Sequence, residues 1–164
     1  MQGNKGEWSE SYAALRIIGD RKIFVADRSG AMNPNEWMNV LALMRRETRE
    51  RLVSYRYDAN DVDVVIAVNE DPVYRLPASE FVSLADRLLT EINRNKSSSF
   101  VVTDELESAL RTVQVHSLKA KSDSKSDVTL SVLDPRSGVT RSVIGRSMMS
   151  ESVPNGKYGP AKTW

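Results

Sequence analysis

Asp127, Glu10 and the triplet Ser147-Met148-Met149 are the side chains whose types and spacing offer chemistry. Asp127 opens an alternating run, Asp127-Val-Thr-Leu-Ser-Val-Leu-Asp134; Pro135-Arg-Ser-Gly138 then leads into a second run from Val139 to about Met149. Asp-Pro and Ser-Gly between β-branched runs predict a hairpin. With Asp134 and Val139 flanking the turn, Asp127 faces Arg146 and lies beside the Ser147 end of the returning strand. Glu7 and Glu10, following Gly6, share one flank of a helix, and Gly6 is small enough to admit a close neighbour. A carboxylate from a strand and another from a helix can hold a hard cation such as Mg²⁺, which takes oxygen ligands from separate elements and keeps waters for a phosphate and an attacking hydroxide. For that, Asp127 and Glu10 must come within about 8 Å of each other.

The elements that must bring them together are legible in part. Trp8, Ser11/Tyr12, Leu15 and Ile18 recur at helical spacing, so Asn4 to Gly19 reads as a helix capped by Asn4 and ended by Gly19. Lys22 to Ala26 reads as a strand. Pro34 to about Arg51 reads as a second helix, with Trp37, Val40/Leu41, Met44 and Thr48 inward. On this reading Arg45, Arg46, Arg49 and Arg51, interleaved with Glu47 and Glu50, form a solvated face. Val53 to Tyr57 and Val62 to Val68 read as paired strands about Asp58-Ala-Asn-Asp61, with a short strand at Val73 to Leu76. Ser79 is expected to cap a helix to about Asn93, burying Phe81, Leu84/Ala85, Leu88 and Ile92. Phe100 to Val102 is a brief strand, Thr103 caps a helix to Arg111, and Val113 to Leu118 is strand-like. Trp8 and Trp37 are expected in the core, and His116 to be structural or superficial.

Together these predict an α/β or α+β fold, a mixed β-sheet flanked by helices. Residues 1–149 form one domain, and residues 150–164, with two Pro and two Gly, an irregular tail. A hydrophobic content of 40% with 27% charged residues is that of a soluble globular protein, and no apolar run is long enough for a bilayer span. Cysteine is absent and the start carries no apolar leader, which fits a cytoplasmic protein. With His116 the only histidine, a zinc site or a serine triad lacks its donors. No Gly-rich phosphate loop points to nucleotide dependence. From Arg111 onward nine Lys/Arg face four Asp/Glu, a local balance of +5 against −4 for residues 1–110. That asymmetry suits a chain whose last third meets a polyanion.

Gly3-Asn4-Lys5-Gly6-Glu7-Trp8-Ser9-Glu10, and later Leu118-Lys119-Ala120-Lys121 leading into Lys125-Ser126-Asp127, resemble the HpaII family of type II restriction endonucleases. That family is similar to the wider PD-(D/E)xK nuclease group, and the resemblance runs from Gly3 to Gly145. It implies an Mg²⁺-dependent hydrolase that cuts duplex DNA at a short palindromic site. It also implies a homodimer at full length and a cognate DNA methyltransferase in the same restriction-modification system. Asp127 matches the acid that opens the catalytic hairpin, and Glu10 the helix glutamate of the wider group, Glu7 being the weaker match. Lys119, Lys121 and Lys125, abutting Asp127, are then expected on DNA phosphates.

After Gly145 the family reads Phe-Ser-Ile-Lys-Ser, where this chain reads Arg146-Ser147-Met148-Met149-Ser150. Ser147 agrees, which makes it a candidate catalytic residue; Met149 replaces the lysine. A thioether can neither assist a water nor offset charge on a pentavalent phosphate. Family members also continue in a way that Val153 to Trp164 does not match, so an incomplete or frame-altered nuclease core is expected, with impaired cleavage. Two alternatives stay open: a catalytically inactive DNA-binding module, and an interaction protein with no nucleic-acid partner.

Overall fold

The computed structural model describes residues 1–118 and 128–145. Twelve elements follow in chain order: β1 (Gln2–Asn4), α1 (Lys5–Asp20), β2 (Lys22–Ala26), β3 (Met32–Thr48), β4 (Arg51–Tyr57), β5 (Asp63–Val68), β6 (Asp71–Pro77), α2 (Ala78–Arg94), β7 (Ser99–Val101), α3 (Asp104–Thr112), β8 (Val128–Leu133) and β9 (Thr140–Gly145). Seven strands make one sheet in the order β6-β5-β4-β3-β8-β9, with β2 also on β3, while β1 and β7 form a separate ladder. The fold is α+β, a sheet flanked by helices as expected, and each described ladder is antiparallel.

Alternation along the strands turns Val53, Tyr55, Val64, Ile66, Leu130 and Val132 to one face, where they meet Trp8, Leu15 and Ile18 of α1, Phe81 and Leu88 of α2, and Leu106 and Leu110 of α3. Phe81 stands edge-on to Tyr55 with ring centroids 5.9 Å apart. The Tyr55 hydroxyl donates to the Val113 carbonyl at 2.8 Å, and burial pushes its pKa well up. Trp8 stacks on Phe100 and gives its indole N–H to the Phe100 carbonyl at 3.2 Å, which joins α1 to the β1-β7 ladder.

Four expectations need correction. The expected helix from Pro34 to Arg51 is the strand β3, central in the sheet. Between Val40 and Ala42 its pairing with β8 shifts by one residue, so Leu41 is bulged and exposed while Val40 and Leu43 are both buried. Two core residues three apart imitate a helix face, and the cause is the bulge. Trp37 is accordingly half-buried on a strand, with the Lys22 ammonium 4.9 Å from its ring centroid.

Gly19 does not end α1. The helix runs to Asp20, and Arg21 takes the left-handed cap at φ 59°, its N–H bonded to the Ile17 carbonyl. Gly19 serves the helix crossing instead: a Cβ there would lie 2.6 Å from Val82 Cγ2 and 2.9 Å from the Val82 nitrogen. Ser79 does not cap α2; Pro77 occupies the N-cap without a side-chain bond. Val113 to Leu118 is not a strand. Gln114 turns back at φ 65°, Val115 N–H reaches the Leu110 carbonyl, and the next two amides are taken by a carboxylate described below.

The hairpin carries the expected frame. Pairs run from Leu133 with Thr140 to Val128 with Gly145. Asp134 builds the turn: Oδ1 accepts the Arg136 N–H at 2.9 Å, Oδ2 the Ser137 hydroxyl, and Gly138 takes φ +67°. Arg136 also pairs with Glu36 of β3 at 2.8 Å. Among the described residues no helix is long and apolar enough to cross a membrane.

Candidate active site

The octet that opens the chain folds as its side chains dictate. Asn4 and Glu7 form a capping box: Asn4 Oδ1 accepts the Glu7 N–H at 2.9 Å, and Glu7 Oε2 accepts the Asn4 N–H at 2.8 Å. Glu7 therefore closes the helix start, while Glu10 stands one turn further along α1, half-buried. The close approach expected at Gly6 occurs at Gly3 instead. A Cβ on Gly6 would meet only Asn4 Oδ1, whereas one on Gly3 would collide with Leu118 and crowd Trp8.

Leu118 thus packs against the start of the helix that carries Glu10. One residue earlier, the Ser117 carbonyl accepts from Arg45 Nη2. Arg45 stands opposite Val128 in the β3-β8 ladder. The helix start, the 117–118 backbone and the first described residue of β8 are in this way linked at one end of the sheet. Asp127, Lys119, Lys121, Lys125, Ser147 and Met149 lie outside the described residues. So does the pairing of Asp127 with Arg146.

Between these parts sits a cluster expected from sequence to be solvated. Glu47 is 3% exposed. Its Oε1 accepts from Arg45 Nη1 at 2.9 Å, from the His116 N–H at 2.9 Å and from the Ser117 N–H at 3.3 Å; its Oε2 accepts from Arg51 Nε at 2.8 Å. Arg51 Nη2 continues to Gln114 Oε1 at 2.6 Å. A buried carboxylate with two guanidinium partners and two amide donors is well satisfied. Arg45, Glu47 and Arg51 are therefore an internal network and not a solvated helix face. Of the other residues in that run, Arg46 and Glu50 are exposed. His116 is superficial as expected, its Nε2 3.2 Å from the Arg111 carbonyl.

The HpaII restriction endonuclease family matches residues 4–153. The chain belongs to that family. It is 30% identical over 151 residues to the type II restriction enzyme HpaII of Haemophilus parainfluenzae, an alignment that covers 92% of this chain and 41% of the relative. The chain thus spans about two fifths of the length of the curated relative that it matches. No solved structure matches.

Among the described residues no three His, Asp or Glu side chains gather closely enough to hold a metal ion. Glu10 is a carboxylate on α1, and a hard oxygen donor of this kind is of a chemistry that suits Mg²⁺.

Proposed function

We propose that this chain is the catalytic-core portion of a type II restriction endonuclease, hydrolysing phosphodiester bonds in duplex DNA at a short palindromic site. The supporting observation is the linkage at one end of the sheet, through Leu118, Ser117 and Arg45, between the helix of Glu10 and the residue that follows Asp127. In this reading Asp127 and Glu10 hold Mg²⁺, which when bound polarises the scissile phosphate and lowers the pKa of a coordinated water. Lys119, Lys121 and Lys125 neutralise DNA phosphates on the approach to Asp127 and fix the duplex without reading its bases. Ser147 is a further candidate catalytic residue in this reading. A homodimer and a cognate methyltransferase belong to the same reading, as does a cytoplasmic setting.

Met149 favours a second reading, a DNA-binding module that cuts poorly. The family lysine would donate to the pentavalent phosphate, and a thioether has no proton to give. One experiment separates the two. A labelled duplex library is incubated with the chain with and without Mg²⁺, beside Asp127→Ala. Cleavage lost in Asp127→Ala supports the endonuclease. Salt-sensitive binding without cleavage supports the module. Neither binding nor cleavage would leave an interaction protein without a nucleic-acid partner.

A further inference from the structure

Arg46 lies at the end of the sheet where β8 begins and β9 ends. Arg45, one position earlier, faces Val128 across the β3-β8 ladder, and Val128 in turn faces Gly145. Ladder geometry keeps the Cα atoms of Arg46 and Val128 within about 10 Å. Alternation along β3 turns Arg45 and Glu47 inward and leaves Arg46 exposed on the face opposite the helices. We propose that Arg46 contacts a backbone phosphate of a duplex lying across this end of the sheet, adding affinity without reading bases. That the polyanion is DNA rests on the function proposed above; the basic character of the sheet end does not.

The sheet end carries fixed positive charge. From Arg45 to Arg51 four arginines stand with two glutamates. Buried Glu47 is shared by Arg45 and Arg51, so one carboxylate meets two guanidiniums and the network keeps a positive excess. Partly buried charge of this kind is screened less than charge in open solvent. Arg46 adds to it at the surface, and the mutual repulsion is relieved when a polyanion arrives. The Arg46 guanidinium is also held ready. Its Nη1 donates to the Arg49 carbonyl at 3.1 Å, which props it against the β3-β4 turn. Its remaining N–H groups meet no acceptor among the described residues, and their planar fork suits phosphate oxygens. Surface arginines elsewhere, such as Arg75 with Asp58 and Arg111 with Glu107, face a carboxylate instead.

Arg28 supplies the control. It is exposed in the turn between β2 and β3, at the opposite end of the 17-residue strand. At about 3.3 Å per residue the strand separates Arg28 from Arg46 by about 45 Å, several Debye lengths at ordinary salt. Removing either arginine changes the net charge equally, but only one lies at the proposed contact.

Arg46→Gln, Arg46→Lys and Arg28→Gln are compared with the wild-type chain by titrating short labelled duplexes of differing sequence over a series of salt concentrations, without Mg²⁺. Urea unfolding first establishes that each variant is folded. Glutamine keeps an N–H for the Arg49 carbonyl but removes the charge, so it separates propping the turn from binding phosphate. Arg46→Gln should weaken binding to all the duplexes alike and make the slope of log K against log salt shallower by about 1. Arg46→Lys and Arg28→Gln should both keep the wild-type slope. Wild-type binding by folded Arg46→Gln overturns the inference and leaves the DNA reading standing. An equal loss in Arg28→Gln overturns it too, because net charge alone would then be at work, and so does a loss confined to one DNA sequence, which marks a base contact. If Arg46→Gln does not fold, Arg46 is a structural residue and the inference falls. A wild type that binds no duplex removes the DNA reading, and the phosphate contact with it.

Discussion

Asn4 and Glu7 exchange hydrogen bonds across the first turn of α1, each side chain accepting the other's backbone N–H. The exchange separates two glutamates that the sequence leaves in competition. Glu7→Ala should weaken the helix start by about 1 kcal/mol, as loss of a cap partner usually does, and leave Mn²⁺ affinity nearly intact. Glu10→Gln should lower Mn²⁺ affinity. Urea unfolding and Mn²⁺ titration of both variants check the assignment, and the reverse pattern would return Glu7 to the site.

Gly19→Ala should destabilise the fold by about 1–3 kcal/mol even though alanine is the better helix former. The new Cβ would meet the Val82 backbone nitrogen at 2.9 Å, and backbone cannot turn aside as a flexible side chain can. A urea midpoint equal to or above that of the wild type would show that α1 and α2 can part without cost.

The chain should show little Mg²⁺-dependent cleavage. Losing one electrostatic stabiliser of a transition state costs about 10²–10³ in rate, and the resemblance puts Met149 in the place of the family lysine. Met149→Lys should recover a trace, and a family-like sequence beyond Gly145 considerably more. Single-turnover cleavage of a duplex substrate measures both. Robust cleavage by the unmodified chain, abolished in Asp127→Ala, would mean that another group serves in the lysine's place.

Acid should loosen the hairpin turn before it unfolds the core. The Arg136 N–H, and after it the Ser137 hydroxyl, hold the Asp134 carboxyl below its ordinary value of 3.8. A carboxyl whose pKa is depressed by folding stabilises the fold above its unfolded value and loses that contribution as pH falls through the folded one. Asp134→Asn should therefore remove the low-pH loosening of amide exchange at Arg136 and Val139. Identical pH profiles for the two proteins would show that the carboxylate does not govern the turn.

What was legible in the sequence was what is local. The hairpin frame follows from Asp134, Pro135 and Gly138, whose turn chemistry acts within six residues. The three helices follow from apolar spacing, though Ser79 and Gly19 show that a good cap or stop residue can stand beside a helix end without making it. The strand β3 reads as a helix in sequence because Trp37, Val40/Leu41, Met44 and Thr48 recur at helical spacing in a stretch rich in helix formers, and nothing local announces the bulge that leaves Leu41 exposed. The Glu47 network was illegible for a different reason. Its amide donor at His116 lies 69 residues away, and no spacing rule connects a carboxylate with a backbone N–H at that distance. Alternating Val113 and Val115 suggested a strand, yet the amides that a strand would offer its neighbour are spent on Glu47.

The bulge at Leu41 also works as a key in a keyway. With one surplus residue on β3, β8 seats with Val132 against Val40 and Ser131 against Ala42, and any slip would require the surplus to move along the strand. The Arg136 pair with Glu36 pins the far end of the hairpin to the same strand. A slip that kept the buried face inward would have to be two residues, about 7 Å along the strand. A bulge near the middle of the sheet thus acts as the gauge that sets how far along β3 the start of β8, at Val128, is delivered.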